Sequence, residues 1–323
     1  MPALAWDRFI RKPGAGMPRV PDDVLDSIGF LYRTVADAEK HVREGGTCFI
    51  VGHPVLLDGG TEPVAWVPYA VSNRHVVWTG GCSVLRLNRR GGGDPAIIEL
   101  DERNWHVHPN GNDVAVASLT KMIDVAIHKV SYIPTSRFIS RKDATDWELG
   151  VGDEVFMVGR YVNHQGRIEN TAAVRFGSIS VMPQPIYNKA IGKDQLSYAV
   201  EMRSRSGFSG SFVAAYRTIA TILTTVATEE FYGVLGVNWG HIVDDLGENT
   251  WLNGVVPAWQ ITETISLPAL VHAQDEATKE WIEFQVSGLC GEAIASMSPA
   301  KAMDNVSTSA IPNNALGIAL IFG

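Results

Sequence analysis

A serine between two glycines stands at the centre of residues 206–213 (SGFSGSFV). Glycine permits backbone angles that a Cβ would forbid, so Gly207 and Gly210 allow a tight turn that aims the Ser209 hydroxyl outward. The same turn can point the backbone N–H groups of Gly207 and Ser209 at a common spot, which is the geometry of an oxyanion hole. Alone, an octet of this composition is most often a plain turn.

A serine hydroxyl becomes a nucleophile near neutral pH only beside a base, and the base needs a third group to hold its tautomer. His75 follows an apolar segment within residues 71–77 (VSNRHVV), and Asp113 opens another within residues 112–116 (NDVAV). Each alone is typical of a strand end or a turn. Their order, with histidine and aspartate in the first half of the chain and Ser209 in the second, predicts a catalytic triad.

The segments that must position these residues are short apolar strands joined by turns. In the first half, strands are predicted at 28–32, 47–51, 64–72, 83–87, 96–100, 105–108 and 112–119. In the second half, they are predicted at 154–159, 171–176, 178–181, 197–201, 212–216 and 232–240. Strand after strand without a long periodic helix is the pattern of a β-barrel or sandwich. Pro257 suits the first turn of a helix over 258–265.

Five stretches resemble, in the same order, the trypsin/chymotrypsin-like serine peptidases, and most of all their disulfide-poor bacterial branch. They are residues 46–51 (GTCFIV), 71–77 (VSNRHVV), 112–116 (NDVAV), 207–211 (GFSGS) and 237–240 (VNWG). The resemblance covers residues 28 to about 265. It implies an all-β fold of two six-stranded antiparallel β-barrels, an active-site cleft between them, and a short closing helix after the second barrel.

The resemblance also implies roles for individual residues. His75 would act as general base and then as general acid, Asp113 would orient it, and Ser209 would be the acyl nucleophile. Gly207 and Ser209 would supply the oxyanion hole. The backbone of Asn238, Trp239 and Gly240 would pair with an extended peptide substrate as an added strand. No metal or organic cofactor is required.

The organisation that follows has four parts. Residues 1–24 form a proline-rich N-terminal arm, residues 25–135 an N-terminal barrel, and residues 136–265 a C-terminal barrel with its closing helix. Residues 266–323 form a C-terminal extension of unknown role, because their composition shifts towards Ser, Asn, Ala and Pro.

Among the departures from the family pattern, three bear on activation, compartment or specificity, whereas Phe212 in place of the usual proline is a minor change. Phe208 stands where trypsin-type zymogens carry an aspartate that binds a freshly cut N-terminus, so activity is expected not to depend on such a cut. Val76 stands where secreted relatives place a cysteine, which favours a reducing compartment. Arg203 stands where trypsin has its acidic selector and could favour an acidic side chain before the scissile bond. Alternatively, Arg203 and Arg205 both face solvent on a loop of altered length.

Composition excludes several other classes. The chain has 323 residues, a net charge of −8 and a pI of about 5.6, so nothing builds the basic face that nucleic acid requires. No apolar run reaches the about 20 residues of a membrane helix. Three cysteines do not form a disulfide framework. We therefore predict a cytoplasmic protein with no nucleic-acid or membrane partner.

Two other interpretations of polar residues fail. His106 and His108 share one face of a strand, but a metal site would need a third ligand, and none can be assigned. His241, Asp244 and Asp245 could complete an α/β-hydrolase triad with Ser209. That fold, however, needs glycine two positions after the serine, where Ser211 stands, and its long helices are missing.

The sequence thus predicts a serine endopeptidase acting on protein or peptide substrates through an acyl-enzyme. Two alternatives stay open. One is a catalytically silent binding or scaffold protein of the same fold. The other is a protease that is gated by residues 266–323 or by a regulatory protein partner.

Overall fold

In a computed structural model, the described residues are 20–56, 63–204, 206–217, 231–244, 248–276 and 278–279. Their strands form two antiparallel sheets, one from each half of the chain. The predicted all-β fold is confirmed: the second sheet closes as a six-stranded barrel, and the first is an open half-barrel of eight strands rather than six.

The first sheet is a curled, open half-barrel. Its strands are β1 (Ile28–Tyr32), β2 (Gly46–Val55), β3 (Ala65–Ser72), β4 (Val84–Leu87), β5 (Ala96–Ile98), β6 (Trp105–Val107), β7 (Ala115–Ser118) and β8 (Ile133–Pro134). The order is β5-β4-β1-β2-β3-β7-β6, and β8 pairs with β2 in parallel. The terminal strands β5 and β6 have only three residues each, and the sheet stays open between them.

The second sheet is a closed barrel of six strands. These are β9 (Glu154–Arg160), β10 (Ala172–Asn188), β11 (Lys193–Met202), β12 (Phe212–Arg217), β13 (Phe231–Val243) and β14 (Asn249–Pro257). They close in the order β10-β11-β14-β13-β12-β9. Strands β10 and β11 extend beyond the barrel as a long hairpin that pairs as far as Asn188 opposite Lys193.

The helices are short. They are α1 (Asp22–Asp26), α2 (Val35–Lys40), α3 (Arg141–Asp146) and α4 (Ala258–Ile265), with single helical turns at His75–Thr79, Glu102–Asn104, Thr135–Arg137 and Val162–His164. Helix α4 begins and ends where the sequence predicts. Residues 268–276 are also helical, and Leu270 is buried in the core, so the predicted C-terminal extension begins against the folded domain.

Burial alternates along the strands and separates distinct cores. In β1, Phe30 and Tyr32 face the core between the two sheets, whereas Leu31 faces the inside of the first sheet. This is the two-residue period of a strand that is buried on both faces. Phe49 and Phe212, from opposite sheets, bring their ring centroids to 5.6 Å and join the two halves.

The strand predictions for the second half need two corrections. Segments 171–176 and 178–181 belong to one strand, β10, which runs through Gly177. A Cβ on Gly177 would lie 2.0 Å from the Glu201 carbonyl oxygen, so this glycine marks a close approach between strands. The sequence did not predict β14, because Asn, Gly and Pro are depleted in strands; pairing on both edges overrides that preference.

The domain boundaries at 24/25, 135/136 and 265/266 stay predictions, and residues 1–19 and most of 266–323 lie outside the described residues. Among the helices described, none has the length and apolar character to cross a membrane. Cys48 and Cys82 are both buried and free, and Cys290 falls outside the described residues.

Candidate active site

His75 and Asp113 emerge at the same end of two neighbouring strands. β3 and β7 pair so that Ser72 lies opposite Ala115. His75 follows β3 and Asp113 precedes β7, and the two side chains meet. Nδ1 of His75 lies 2.7 Å from Oδ2 of Asp113, and the His75 backbone N–H donates to Oδ1 at 2.9 Å. The carboxylate therefore fixes both the ring and the main chain of the histidine.

Asp113 is completely buried, whereas the His75 side chain keeps 18% of its surface exposed. A buried carboxylate is stable only when donors replace its lost water. Besides the two His75 donors, Asn188 Nδ2 donates to Oδ2 at 3.0 Å. The backbone of Asp113 is held too: its N–H donates to Gln195 Oε1 at 2.9 Å, and its carbonyl accepts from Asn73 Nδ2 at 2.8 Å.

This pairing decides which nitrogen of His75 can act as a base. A carboxylate only accepts hydrogen bonds, so the nitrogen facing Asp113 must carry a proton. Nδ1 is that nitrogen, which leaves Nε2 of the neutral ring as the acceptor. An imidazole held in this tautomer can take a proton from a hydroxyl group at Nε2.

The nucleophile turn, residues 206–211, connects β11 to β12 and depends on two glycines. Gly207 has φ +100° and Gly210 has φ +87°, values that L-residues rarely adopt. Space is limiting as well: a Cβ would lie 2.8 Å from the Arg160 carbonyl oxygen at position 207 and 2.0 Å from the Thr47 carbonyl oxygen at position 210. No other residue type fits either position without movement of the backbone.

Hydrogen bonds to Phe208 orient the peptide group that carries the Ser209 N–H. The Phe208 carbonyl accepts from Asn238 Nδ2 at 2.9 Å and from the Ser211 N–H at 3.0 Å. In a planar trans peptide, C=O and N–H point in opposite directions. Anchoring the carbonyl on these interior groups therefore directs the Ser209 N–H to the other side of the turn.

Thr47, at the start of β2, ties the nucleophile turn to the first sheet. Its N–H donates to the Ser209 carbonyl at 2.9 Å, and its hydroxyl donates to the Gly207 carbonyl at 2.7 Å. The hydroxyl also accepts from the Arg160 N–H at 2.8 Å, and the Thr47 carbonyl accepts from Ser72 Oγ at 2.7 Å. One buried residue thus holds two carbonyls of the turn, that of Gly207 through its hydroxyl and that of Ser209 through its backbone N–H.

The histidine and the nucleophile turn meet around Gly46. A Cβ on Gly46 would lie 2.6 Å from Val76 Cγ1 and 3.2 Å from the Ser209 carbonyl oxygen. The neighbour of His75 and the backbone of Ser209 therefore converge on one point. Within the described part of the chain, no hydrogen bond joins the Ser209 hydroxyl to His75. Such catalytic hydrogen bonds are often long in ligand-free enzymes and tighten on binding.

Phe208 anchors the turn by packing. It is completely buried and stacks on Tyr161 at 6.5 Å between ring centroids. The Arg175 guanidinium lies 5.3 Å from the Tyr161 ring centroid and 5.7 Å from that of Phe208. An apolar side chain therefore occupies the position where the zymogens of the resembled family carry an aspartate. Independence from a new N-terminus stays a prediction.

Asn238 is one of three residues for which the sequence predicted substrate pairing. Both of its backbone groups bond to the nucleophile turn: its N–H donates to the Ser211 carbonyl at 2.8 Å, and its carbonyl accepts from the Gly210 N–H at 3.0 Å. Its side chain bonds to Phe208. Asn238 thus supports the turn with all three groups.

Trp239 and Gly240 differ in their surroundings: the indole packs inside the second sheet, and Gly240 lies beside Ser209. The Trp239 indole is buried, donates from Nε1 to Ser197 Oγ at 3.1 Å, and covers Gly254, where a Cβ would lie 1.9 Å from the ring. Gly240 has φ +129°, and a Cβ there would lie 3.9 Å from Ser209 Oγ. Gly240 therefore borders the hydroxyl, and it is partly exposed.

Arg203 directly follows β11, three residues before the nucleophile turn. It is exposed, and its guanidinium makes no ion pair or hydrogen bond with any residue that the structure describes. Arg205 lies outside the described residues. Both sequence interpretations of Arg203, acidic selectivity and a solvent-facing loop, are compatible with this exposure.

His106 and His108 have different surroundings in the structure. His108 is almost fully buried, pairs with Glu263 at 2.8 Å and thereby ties the loop before Asp113 to α4. A second tie joins Asn112 Nδ2 to Gln260 Oε1 at 2.7 Å. Burial lowers the pKa of His106. The described ranges contain no group of three or more side chains that could hold a metal ion.

Four supporting side chains were not found from the sequence. Thr47 lies inside a motif of the resemblance, but its hydrogen bonds go to backbone carbonyls, which leave no mark on sequence. Asn188 and Gln195 lie in the β10–β11 hairpin, far from Asp113 along the chain. The carboxamide role of Asn238 was also missed. The polar turn after Asn188 was the one signal available for the hairpin.

No family model matches the sequence, and no curated protein is similar enough to count as a match. Solved structures of similar fold include the MamO protease domain of Magnetospirillum magneticum, at 14% identity and TM-score 0.44, covering 74% of this chain and 96% of that one. The Rv3671c protease of M. tuberculosis, in an inactive form, has 13% identity and TM-score 0.39, covering 75% and 89%.

The HtrA-type protease AlgW, solved with a decapeptide, has 13% identity and TM-score 0.41, covering 76% of this chain and 64% of that one. The structural neighbours of the chain are thus proteases of the HtrA and trypsin-like kind. Because these TM-scores lie below 0.5, no residue role is transferred from the neighbours.

Proposed function

We propose that the chain is a serine endopeptidase that hydrolyses peptide bonds through an acyl-enzyme, with His75, Asp113 and Ser209 as its triad. The observation that carries the proposal is the doubly hydrogen-bonded Asp113–His75 pair, which leaves Nε2 as a base. Beside it stands a serine on a tight turn whose two glycines have positive φ angles that other residues rarely adopt.

In the acylation step, the Ser209 hydroxyl attacks the carbonyl carbon of the scissile bond. The proton passes from Oγ to His75 Nε2, and a bond forms between Oγ and carbon. The imidazolium that results is stabilised by the buried Asp113 carboxylate, which stays ionised. His75 then gives this proton to the leaving amine, the C–N bond breaks, and the acyl group stays on Ser209.

The negative oxygen of the tetrahedral intermediate needs donors that are already in place. We assign this role to the N–H groups of Gly207 and Ser209, supported by the anchoring of the Phe208 carbonyl on Asn238. In the second half of the reaction, water takes the place of the amine. His75 removes a proton from the water, and hydrolysis releases the acid and restores Ser209.

The substrate class is an extended polypeptide. Gly240 borders the Ser209 hydroxyl, and without a side chain it lets a peptide backbone approach closely. Of the two interpretations of the exposed Arg203, we propose the one in which it favours an acidic side chain on the substrate.

The test is labelling with a fluorophosphonate probe, which bonds covalently to an activated serine. Wild-type protein is expected to label and to cleave unfolded protein, with both activities lost in Ser209→Ala. Ser206→Ala, which changes an exposed serine of the same turn, should label like wild type. Equal labelling of wild type and Ser209→Ala would reject Ser209 as the nucleophile.

One observation favours a second candidate, a catalytically silent binding protein. The Ser209 hydroxyl and His75 make no hydrogen bond within the described residues. If this contact never forms, wild-type protein will neither label nor cleave under any condition in which it remains folded. That outcome would reject the endopeptidase and leave the binding protein.

A further inference from the structure

The β10–β11 hairpin of the second sheet reaches the loop of the first sheet that carries Asp113. Three contacts join them. Asn188 Nδ2 donates to Asp113 Oδ2 at 3.0 Å, Gln195 Oε1 accepts from the Asp113 N–H at 2.9 Å, and Lys193 Nζ donates to the Asn110 carbonyl at 2.6 Å. The hairpin is thus docked on the acid of the proposed triad.

The donor and acceptor character of its two partners determines the orientation of the Asn188 carboxamide. Its Oδ1 accepts from the Ala190 N–H at 2.9 Å, and its Nδ2 faces the Asp113 carboxylate. A backbone N–H can only donate and a carboxylate can only accept, so the reverse orientation would break both bonds. Asn188 is also completely buried, so neither bond is exposed to bulk water.

The two oxygens of Asp113 consequently have different supports. Oδ1 accepts from the His75 backbone N–H, whereas Oδ2 accepts from both His75 Nδ1 and Asn188 Nδ2. Without Asn188, one side of Oδ2 would face a buried space with no donor. The carboxylate would then be held by His75 alone, and its plane could turn away from Nδ1.

We propose that Asn188 is a positioning residue of the triad, which holds Oδ2 of Asp113 in line with His75 Nδ1. The role of Asn188 in turnover rests on the proposed serine endopeptidase function. This role makes the β10–β11 hairpin part of the support of the active site.

Two substitutions separate the positioning role from a purely structural one. Asn188→Ala removes both the donor to Asp113 and the acceptor of the Ala190 N–H. Asn188→Asp keeps an acceptor for the turn but replaces the donor with a second carboxylate. Lys189→Ala changes an exposed residue at the same hairpin tip and is the matched control. Thermal unfolding of each variant shows whether it folds.

The kinetic test uses saturation labelling with the fluorophosphonate probe. Loss of a hydrogen bond to a charged group predicts a fall in kinact of about tenfold to a hundredfold for Asn188→Ala, with KI unchanged. At pH 8, Asn188→Asp should have a lower kinact than Asn188→Ala. As pH falls, its kinact should approach the wild-type value at the same pH, because a carboxyl group beside a carboxylate readily regains a proton and can then donate. Lys189→Ala should match wild type.

A second measurement does not need activity. The proton between His75 Nδ1 and Asp113 gives a far-downfield NMR resonance, which should move in Asn188→Ala and stay in place in Lys189→Ala. It can be recorded in the Ser209→Ala background. Failure of wild type to label would reject the endopeptidase, while this resonance still decides the role of Asn188.

Three results would overturn the proposal. The first is unchanged kinact in folded Asn188→Ala and Asn188→Asp while Ser209→Ala is inactive. The second is a His75 resonance that is the same in wild type and Asn188→Ala. A loss in Asn188→Asp that is equal at every pH would also reject the donor role, because protonation would then restore nothing.

Discussion

Asp113 and Ser209 are fixed by different means. Around Asp113, the contacts come from side chains: Asn188 and Gln195 of the second sheet and Asn73 of its own sheet. Around Ser209, the contacts are mostly between backbone groups, and the conformation depends on glycine. The acid end of the proposed triad therefore depends on the identity of polar side chains, and the nucleophile end on the absence of a side chain.

The two ends share one feature, which is support from the opposite sheet. Asp113 belongs to the first sheet and is held by the β10–β11 hairpin of the second. Ser209 belongs to the second sheet, and its turn is held by Thr47 of the first. Neither sheet alone would contain a positioned site, so docking of the two sheets and assembly of the site are coupled.

The acid end should give the largest effect on activity. Asp113→Asn replaces a buried acceptor by an amide that cannot hold His75 Nδ1–H in the same way, so the imidazole is expected to adopt the other tautomer. We expect kcat/KM to fall about 10⁴-fold, with the folded structure retained. Probe labelling and peptide hydrolysis measure the loss, and circular dichroism checks the fold.

The control for this substitution is Asp194→Asn, which removes the same charge from an exposed position of β11. It should leave kcat/KM unchanged. A similar loss in both variants would attribute the effect to net charge, and the distinction between the two ends would lose its support.

The nucleophile end should lose stability as well as activity. A Cβ at position 210 meets the Thr47 carbonyl oxygen at 2.0 Å, and φ is +87°. Gly210→Ala is therefore expected to lower the free energy of unfolding by about 3 to 5 kcal/mol. Urea denaturation measures this loss.

Gly92→Ala separates the cost of a positive φ from the cost of a steric clash of the added Cβ. Gly92 has nearly the same φ, +83°, but a Cβ there would meet nothing within 4 Å. Its cost should be only about 1 kcal/mol, from the left-handed conformation itself. Equal costs at positions 92 and 210 would show that the contact with Thr47 does not constrain the turn.

Thr47 links the two kinds of support, because its side-chain hydroxyl bonds to two backbone groups, the Gly207 carbonyl and the Arg160 N–H. Thr47→Val keeps the shape but leaves the Gly207 carbonyl and the Arg160 N–H without their partner. We expect a loss of about 1 to 3 kcal/mol in the free energy of unfolding. Thr47→Ser keeps the hydroxyl and should recover most of the lost free energy of unfolding. If the serine variant is as unstable as the valine variant, the loss comes from the methyl group and not from the hydrogen bonds.

Much of the fold was predictable because local patterns agree with it. β1 and α4 begin and end where the sequence indicates, since an apolar run and a first-turn proline are local signals. β14 was missed because its Asn249–Pro257 composition disfavours a strand. Only pairing with β11 and β13, which are distant in sequence, makes this segment extended.

The residues of the candidate site also fall into those that the sequence predicts and those that it does not. His75, Asp113 and Ser209 stand in short motifs, so residue type and order predicted them, and the structure brings His75 and Asp113 into contact. Asn188 was not predicted, because an asparagine before a polar turn is typical of any hairpin. Its partner lies 75 residues away and in the other sheet. The groups that react leave a pattern in the sequence, whereas the groups that hold them are defined by the docking of the two sheets.

The smallest effect is expected outside both ends, at Arg203. An exposed ion pair contributes about 0.2 to 1 kcal/mol, so Arg203→Glu should reduce the preference for an acidic residue before the scissile bond by about fivefold at most. Arg43→Glu makes the same charge change at an exposed site in the loop between α2 and β2 and is the control. Cleavage of a peptide library by both variants, at low and high salt, gives the measurement. If the preference for an acidic residue falls equally in both variants, selectivity comes from the overall electrostatic field of the protein. If it changes in neither variant, Arg203 belongs to a solvent-facing loop without a role in selectivity.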